Sequence, residues 1–322
     1  MDVLESLKLA GLVPVVKIEN LEDAVPLGEA LLAGDLPVAE VTFRTDCAAE
    51  AIKTLAKKCP KLILGAGTVL TTEQVDIAID SGAKYIVSPG FNPKVVEHCL
   101  KKGIVPTPGV TNPSLVEQAV AMGLKILKFF PAEQSGGLDM LKTFMTVYPD
   151  IKFIPTGGIN EKNLPQYARA ANVHAVGGSW MVSADLINAK AFDKITRLSK
   201  AAVAALHSFS LGHVGINQDN DKQADELAAI LAPMFNMSDQ DGDSSHFLAT
   251  KEGNQIEIMK GPFLGEKGHV AIRCNHVERA RAYFEGKGFK FNTKFTPSDK
   301  YGIRAIYFEK EMGGFAWHLV RY

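Results

Sequence analysis

Short apolar segments alternate with longer amphipathic segments through the first part of the chain. Consecutive apolar segments are centred 19 to 27 residues apart, and each of the first seven is followed by a stretch with helical periodicity. This spacing is typical of a parallel strand followed by its crossover helix. The eight centres are Val15, Val41, Ile63, Ile86, Val105, Leu127, Ile154 and Val176.

Eight such units predict an α/β fold of the (β/α)₈ TIM-barrel type. The alternative is an open, doubly wound sheet. We favour the barrel because no Gly-x-Gly-x-x-Gly sequence follows the first strand. The predicted barrel domain covers residues 1–207 and ends with a helix over 191–207.

The rest of the chain contains an internal repeat. Residues 211–216 match residues 267–272, so that His213 and His269 occupy equivalent positions. Each copy precedes a predicted helix, over 223–235 and 277–286, and then strand-like segments. A repeat of this length predicts two βαβββ modules. We therefore expect a smaller α+β domain over residues 212–322, joined to the barrel by a linker at 208–212.

Composition narrows the classes of partner. The 322 residues include 35 basic and 36 acidic side chains, a net charge of −1, which gives no electrostatic reason to expect nucleic acid or an anionic membrane as a partner. The first residues include acids and form no apolar signal segment, so we expect a cytoplasmic protein. The four cysteines, Cys47, Cys59, Cys99 and Cys274, show no C-x-x-C spacing and are interpreted as reduced packing residues.

One lysine lies within an apolar strand. Ile126, Lys128 and Phe130 share one face of the strand predicted within residues 123–133. Apolar neighbours disfavour the ammonium form and so favour the amine that can form a Schiff base with a carbonyl. The alternative is a strand-end lysine that extends to solvent. Lys125 has the opposite parity and should face the helices or the bottom rim of the barrel.

Polar residues and glycines follow the predicted strands at their carboxyl ends, where TIM barrels place their active sites. The second strand carries Glu40, and Arg44 follows it on the same face. The pairs Gly157-Gly158 and Gly177-Gly178 follow strands seven and eight, the usual phosphate site of such barrels. Each glycine pair alone could equally form a tight turn.

Several motifs closely resemble those of the 2-keto-3-deoxy-6-phosphogluconate (KDPG) aldolases, over about residues 1–205. The resemblance implies a class I aldolase that splits KDPG into pyruvate and glyceraldehyde 3-phosphate, needs no metal, forms a homotrimer and often accepts 4-hydroxy-2-oxoglutarate (KHG). The motifs are Glu40-Val41-Thr42-Phe43-Arg44, Gly65-Ala66-Gly67-Thr68-Val69, Ser88-Pro89, Lys128-Phe129-Phe130-Pro131-Ala132-Glu133, Pro155-Thr156-Gly157-Gly158-Ile159 and Gly178-Ser179-Trp180.

The same resemblance implies roles for individual residues. Lys128 resembles the Schiff-base lysine and Glu40 the general acid and base, although Glu40 and Arg44 could instead form a structural ion pair. Lys17 is either an added phosphate contact or a solvated lysine. The implied substrate contacts are Arg44, Thr68, Pro89, Phe130, Thr156, Gly157, Gly158, Gly178, Ser179 and Lys17.

The two predicted βαβββ modules resemble the vicinal oxygen chelate superfamily, which includes glyoxalase I and bleomycin-resistance proteins. The positions that supply metal ligands there correspond to His213, Glu257, His269 and His318. Imidazole and carboxylate ligands suit Zn, Ni, Mn or Fe(II). Glyoxalase-like enzymes commonly carry a glutamate at the position of His318, which puts glyoxalase activity in doubt. The alternative is a metal-free module that packs on the barrel or between subunits.

The sequence leaves three alternatives to a dedicated KDPG aldolase. The preferred substrate could be KHG or 2-keto-3-deoxy-6-phosphogalactonate. The barrel could be a sensor of keto-acid phosphates, although Glu40 and Lys128 together argue for catalysis. The chain could also be bifunctional, with metal-dependent chemistry in the second domain.

Overall fold

A computed structural model describes residues 2–253 and 255–322. The chain divides into two compact units, one that ends at Leu206 and one that spans His207–Tyr322. Within the described ranges, no helix is both long enough and apolar enough to cross a bilayer. Each unit is described separately below.

The first unit is a parallel barrel. Its strands neighbour each other in the order β7-β6-β5-β4-β3-β2-β1-β8, and β7 approaches β8 through the bridges Phe153↔Val173 and Thr156↔Gly177. The predicted (β/α)₈ fold is confirmed, because β1 pairs with both β2 and β8 in a nearly closed sheet. The strands are β1 (Leu12–Val16), β2 (Val38–Thr42), β3 (Ile63–Gly67), β4 (Tyr85–Ser88), β5 (Val105–Val110), β6 (Ile126–Phe129), β7 (Lys152–Pro155) and β8 (Val176–Gly178).

Helices connect these strands, and their ends follow local sequence signals. Thr71 forms a capping box with Gln74 at the start of one helix, while Asn92 caps another whose first residue is proline. Gly103 ends that helix in the left-handed conformation. The helices are α1 (Val3–Ala10), α2 (Ala24–Ala33), α3 (Ala48–Lys58), α4 (Thr72–Asp80), α5 (Pro93–Lys102), α6 (Pro113–Ala121), α7 (Gly137–Val147), α8 (Leu164–Arg169), α9 (Ala184–Asn188) and α10 (Phe192–His207).

Apolar side chains fill the inside of the barrel. Leu7 of α1 belongs to the same cluster as Val38, Tyr85 and Ile154, which lie on three different strands. On the outer side of β6, Phe129 packs against aromatic rings of α7 and β7. The interior packing therefore leaves few polar positions, and those positions define the site described below.

The second unit is one mixed sheet with two helices on it. Its strand order is β10-β11-β12-β9-β13-β18-β17-β14, in which β9 and β13 pair antiparallel at the centre. The elements are β9 (Ser210–Asn217), α11 (Asp221–Met234), β10 (Ser238–Asp241), β11 (Ser245–Ala249), β12 (Gln255–Met259), β13 (His269–Cys274), α12 (Val277–Gly286), β14 (Phe291–Asn292), β15 (Ser298–Asp299), β16 (Gly302–Ile303), β17 (Ala305–Phe308) and β18 (Ala316–Arg321).

The element order β9-α11-β10-β11-β12 recurs as β13-α12-β14-β17-β18, which agrees with two βαβββ modules. The second copy carries an additional two-stranded hairpin, β15 and β16. β9, the first strand of the second unit, begins at Ser210, inside the segment 208–212 that the sequence predicts to be a linker. It begins there because Ser210 and Leu211 pair with Arg273 and Ile272 of β13.

Candidate active site

Lys128 and Glu40 form a buried pair inside the barrel. Lys128 Nζ donates a hydrogen bond to Glu40 Oε1 at 3.1 Å, and the two residues are only 6% and 3% exposed. The Phe130 ring lies 5.3 Å from Lys128 Nζ, at a distance typical of cation–π contact. Lys128 therefore does not extend to solvent, and the carboxylate that stabilises its charge is also a potential proton acceptor.

Two glycines of β3 make room for this pair. A Cβ on Gly67 would lie 2.4 Å from Glu40 Oε1, and a Cβ on Gly65 would lie 2.2 Å from the Tyr85 ring. The alternation of Gly65 and Gly67 therefore has a steric reason, which is a close approach of side chains from β2 and β4. Glycines two residues apart in a strand were a signal that could have indicated this role from the sequence.

Tyr85 is a residue whose role the sequence did not predict. Its hydroxyl is buried and has no hydrogen-bond partner among the described residues. Burial, together with the Glu40 carboxylate, raises the pKa of Tyr85 well above its ordinary value, so the hydroxyl stays protonated. A cavity of about 10 Å³ lies beside Tyr85, Glu40, Thr107 and Lys128, about the size that holds one water molecule.

The rim of the barrel carries three of the predicted substrate contacts. Arg44 is exposed and donates from Nε to Thr42 Oγ1 at 3.1 Å, while the partner found for Glu40 is Lys128. Thr68 has a φ of 56°, an uncommon conformation for a β-branched residue. Pro89 follows β4, and its carbonyl oxygen would lie 2.0 Å from a Cβ on Gly109.

The predicted phosphate-binding residues lie in two loops at the same end of the barrel. Gly157 and Gly158 follow β7 with φ values of 100° and 79°, which side chains other than glycine rarely adopt. Gly178 ends β8, where a Cβ would lie 1.9 Å from the Trp180 ring, and Ser179 is exposed. Thr156 is buried between the two loops, since its Oγ1 would lie 2.1 Å from a Cβ on Gly177.

Two other contacts modify the predicted phosphate site. Lys17 pairs with Glu19 at 2.6 Å, so part of its charge is already compensated. The loop after β6 is fixed to the loop after β7, because Glu133 N donates to Gly157 O at 3.1 Å and the Glu133 carboxylate accepts from the Tyr167 hydroxyl. Sequence analysis identified Glu133 only as part of a motif and missed Tyr167.

In the second unit, three histidines and one glutamate converge. Ring nitrogens of His213, His269 and His318 lie within 4.8 Å of one another. His269 Nε2 lies 2.9 Å from Glu257 Oε2 and 3.3 Å from His213 Nε2. The structure therefore brings together all four side chains that the sequence predicts as metal ligands.

The electrostatics of this histidine cluster favour a neutral His318 beside an ionised Glu257. Burial is the largest cause that lowers the pKa of His318 to about 3, and His213 and His269 contribute to the same shift. Burial opposes ionisation of Glu257, but hydrogen bonds with His213, His269 and Ser245 outweigh it and hold its pKa far below the ordinary value. Both ring nitrogens of His318 lack a hydrogen-bond partner among the described residues.

A parallel (β/α)₈ barrel with a buried lysine–glutamate pair at the catalytic end of its strands belongs to the class of barrels equipped for Schiff-base chemistry. The sequence model of the KDPG and KHG aldolase family matches residues 3–198. The chain therefore belongs to this family of aldolases, and the match covers the barrel.

Relatives and solved structures agree with this assignment. A 2-dehydro-3-deoxy-phosphogluconate aldolase of Treponema pallidum is 46% identical over 198 residues, which is 62% of this chain and 94% of the relative. The KHG/KDPG aldolase of Escherichia coli K12 is 40% identical over 200 residues, again 62% of this chain and 94% of the relative. A crystal structure of KDPG aldolase from Legionella pneumophila, with pyruvate captured as a covalent carbinolamine, is 40% identical with a TM-score of 0.60, and the match covers 62% of this chain and 97% of that one.

Proposed function

We propose that the barrel cleaves KDPG to pyruvate and glyceraldehyde 3-phosphate, with Lys128 as the Schiff-base residue and Glu40 as the general acid and base. The observation that carries the proposal is the buried 3.1 Å contact between Lys128 Nζ and Glu40 Oε1. The named relatives and the covalent carbinolamine of the Legionella enzyme support the same chemistry.

The reaction follows from the two side chains. The Lys128 amine adds to the C2 carbonyl, and Glu40 transfers the protons that convert the carbinolamine to the protonated imine with loss of water. Glu40 then accepts the C4 hydroxyl proton while the C3–C4 bond breaks, and the bonding electrons pass to the imine nitrogen. Glyceraldehyde 3-phosphate leaves, the enamine is protonated at C3, and water releases pyruvate from Lys128.

The rim residues are proposed as substrate contacts. Arg44 suits the C1 carboxylate, because its guanidinium can contact both oxygens. Thr68, Pro89 and Phe130 would line the pyruvyl part of the pocket. Backbone N–H groups at Gly157, Gly158, Gly178 and Ser179, with Thr156 and Lys17, would receive the phosphate.

Borohydride trapping tests this proposal. Pyruvate plus borohydride should add an irreversible mass to wild-type protein, and peptide mapping should locate it on Lys128. The Lys128→Met variant should take no label, whereas Lys125→Met, on the opposite face of the chain, should label normally. Unlabelled wild-type protein with an intact fold would reject the proposal.

The substrate range is the next question for the same site. KHG has the same 2-oxo-4-hydroxy unit and would yield pyruvate and glyoxylate, and 2-keto-3-deoxy-6-phosphogalactonate differs from KDPG only in the configuration at C4. A phosphate loop favours the phosphorylated substrates. Comparison of kcat/KM for the three compounds decides the order.

For the second unit, we propose a vicinal oxygen chelate type of domain that holds a divalent metal on His213, Glu257, His269 and His318. The unpartnered ring nitrogens of His318 and the 3.3 Å approach of two imidazole nitrogens fit a shared cation. When bound, Zn, Ni, Mn or Fe(II) would supply a Lewis acid and make the chain bifunctional. Elemental analysis tests this, with His213→Ala as the variant that should lose the metal.

We also propose a cytoplasmic homotrimer. The exposed apolar side chains Leu70, Ile77 and Leu100 are consistent with subunit contact on the barrel, and the four cysteines are free. Sedimentation equilibrium should give three times the 34.8 kDa chain mass.

A further inference from the structure

One cationic side chain lies on the same face of the second sheet as the histidine cluster. Strand pairing places Ala271 opposite both His213 and His318, so these residues share one face. Arg273 follows Ala271 by two residues on β13 and therefore has the same orientation. The histidine cluster and Arg273 are thus neighbours on one surface.

The Arg273 side chain is directed towards the cluster. Arg273 Nη2 donates to Gln255 Oε1 at 2.9 Å, and Gln255 is paired directly with His213. To reach Gln255, the arginine crosses β9, where Gly212 offers a backbone without a side chain: a Cβ there would lie 3.2 Å from Arg273 Cγ. The guanidinium therefore reaches the neighbourhood of His213.

The charge on Arg273 has no acidic partner among the described residues. Its hydrogen-bond acceptor is the neutral amide of Gln255, and the residue is half-buried. Glu257, the carboxylate on the same face, is engaged by His213, His269 and Ser245. A divalent ion among the four proposed ligands would leave an excess of positive charge there, which attracts an anion.

Aromatic rings flank the same region. The Phe247 ring lies 5.4 Å from that of His213, and the Tyr307 ring stacks on His318 at 4.4 Å. A molecule that reached both the histidines and Arg273 would therefore have carbon-rich walls beside it. These walls suit a compact organic anion better than a heavily hydrated sugar phosphate.

We propose that the second unit binds a small carboxylate that carries a neighbouring carbonyl or hydroxyl oxygen, with the carboxylate on Arg273 and the other oxygen facing the metal. The planar guanidinium matches the two oxygens of a carboxylate, and the metal site accepts the remaining oxygen. The 2-oxo acids belong to this class. The proposal rests on the metal site proposed above and adds the ligand class and Arg273.

Cobalt substitution tests the second unit without interference from pyruvate that binds in the barrel. The full chain is loaded with Co²⁺, whose visible spectrum reports on the metal's own ligands, and is titrated with pyruvate. Wild-type protein should show a saturable spectral change. Arg273→Gln should bind the same amount of Co²⁺ but bind pyruvate about 10- to 100-fold more weakly, the usual effect of losing hydrogen bonds to a charged group.

Two controls separate charge from fold. Arg281→Gln removes an arginine that pairs with Glu285 on α12, and it should leave pyruvate affinity unchanged. Methyl pyruvate has the carbonyl but no charge, and it should bind wild type and Arg273→Gln alike. Equal pyruvate affinities in wild type and Arg273→Gln, with Co²⁺ bound in both, would overturn the role of Arg273 and leave the metal site standing.

The experiments distinguish a failure of the metal site from a failure of the carboxylate site at Arg273. If wild-type protein takes up no Co²⁺, the metal proposal fails, and saturation-transfer NMR of pyruvate on metal-free Lys128→Met protein still tests the carboxylate site. Weaker saturation transfer after Arg273→Gln in that background would support the anion site. No difference would reject it.

Discussion

In the barrel, the Glu40 carboxylate contacts a cationic side chain of the protein itself, Lys128. In the second unit, the Glu257 carboxylate faces imidazoles, and both ring nitrogens of His318 are without hydrogen-bond partners among the described residues. The barrel pair is buried, the histidine cluster is largely buried, and each contains one carboxylate. The barrel cluster thus has its cation built in as a covalent part of the chain, whereas the cation proposed for the histidine cluster would come from solution.

This difference separates two ways of stabilising a buried polar group. A lysine–glutamate pair compensates its own charge, and transfer of the ammonium proton to the carboxylate yields the amine that can act as a nucleophile. In the histidine cluster, by contrast, His318 has no hydrogen-bond partner among the described residues, so its ring is available as a metal ligand. The following changes test this contrast, in order of decreasing effect.

Glu40→Gln removes the carboxylate of the barrel cluster and keeps its shape. Without a group that accepts and returns protons, kcat/KM for KDPG cleavage should fall by about 10²- to 10⁴-fold. A lactate dehydrogenase assay that detects released pyruvate measures the loss. Glu19→Gln, at the exposed pair with Lys17, should change the rate far less. A loss below about tenfold for Glu40→Gln would contradict its proposed role.

Removal of metal tests the second cluster. A cation bound only by the folded unit at 100 times its dissociation constant adds about 2.7 kcal/mol of stability. Chelation should therefore lower the Tm of the second unit, and His213→Ala should already show the lower value. His98→Ala, at a surface contact with Asp76 in the barrel, should keep the full chelator response. If neither chelator nor His213→Ala changes the Tm, the result would count against a bound metal.

Acid should destabilise the second unit through His207. Burial, together with the charge of Arg279, lowers the pKa of His207 to about 3. Between that value and the unfolded value of about 6.5, the unfolded chain binds a proton that the folded chain does not, so stability falls as pH falls, by up to about 1.4 kcal/mol per pH unit.

Urea unfolding at several pH values measures this slope. His207→Phe can retain the stacking against Phe209 and should reduce the slope by about one proton. An unchanged slope in the variant would show that other groups control the acid sensitivity. A reduced slope would show that burial keeps His207 neutral, as it does His318.

Tyr85→Phe should have the smallest effect. The ring that fills the space above Gly65 remains, while a buried hydroxyl with no partner among the described residues is removed. We expect the free energy of unfolding to stay the same or rise, by no more than about 1 kcal/mol. Thermal unfolding of the full chain measures it, and a clear loss of stability would indicate an ordered water bound to Tyr85.

Much of the fold could be predicted because its signals are local. All eight predicted strand centres, from Val15 to Val176, lie within observed strands, and α12 matches its predicted limits of 277–286. The start of β9 was less predictable, since a Ser-Phe-Ser segment resembles a linker until its pairing with β13 is known. Strand ends depend on partners that are distant in the sequence.

The sites were predictable to different extents for the same reason. Lys128 could be selected by parity, because a charged residue in an apolar strand is conspicuous. Tyr85 and Tyr167 could not, because tyrosines in apolar surroundings are common, and their importance comes from contacts with Gly65 and Glu133. Arg273 was missed because its direction depends on the absence of a side chain at Gly212.

The pairing of β9 with β13 has a consequence for the symmetry of the histidine cluster. His213 and His269 are equivalent positions of the two modules, as are Glu257 and His318, so one module carries only half of the cluster. A single module could complete such a cluster only by pairing with an identical copy, and both copies would then carry the same residue at the Glu257 position. Because both modules belong to one chain, a carboxylate and an imidazole can occupy these equivalent positions.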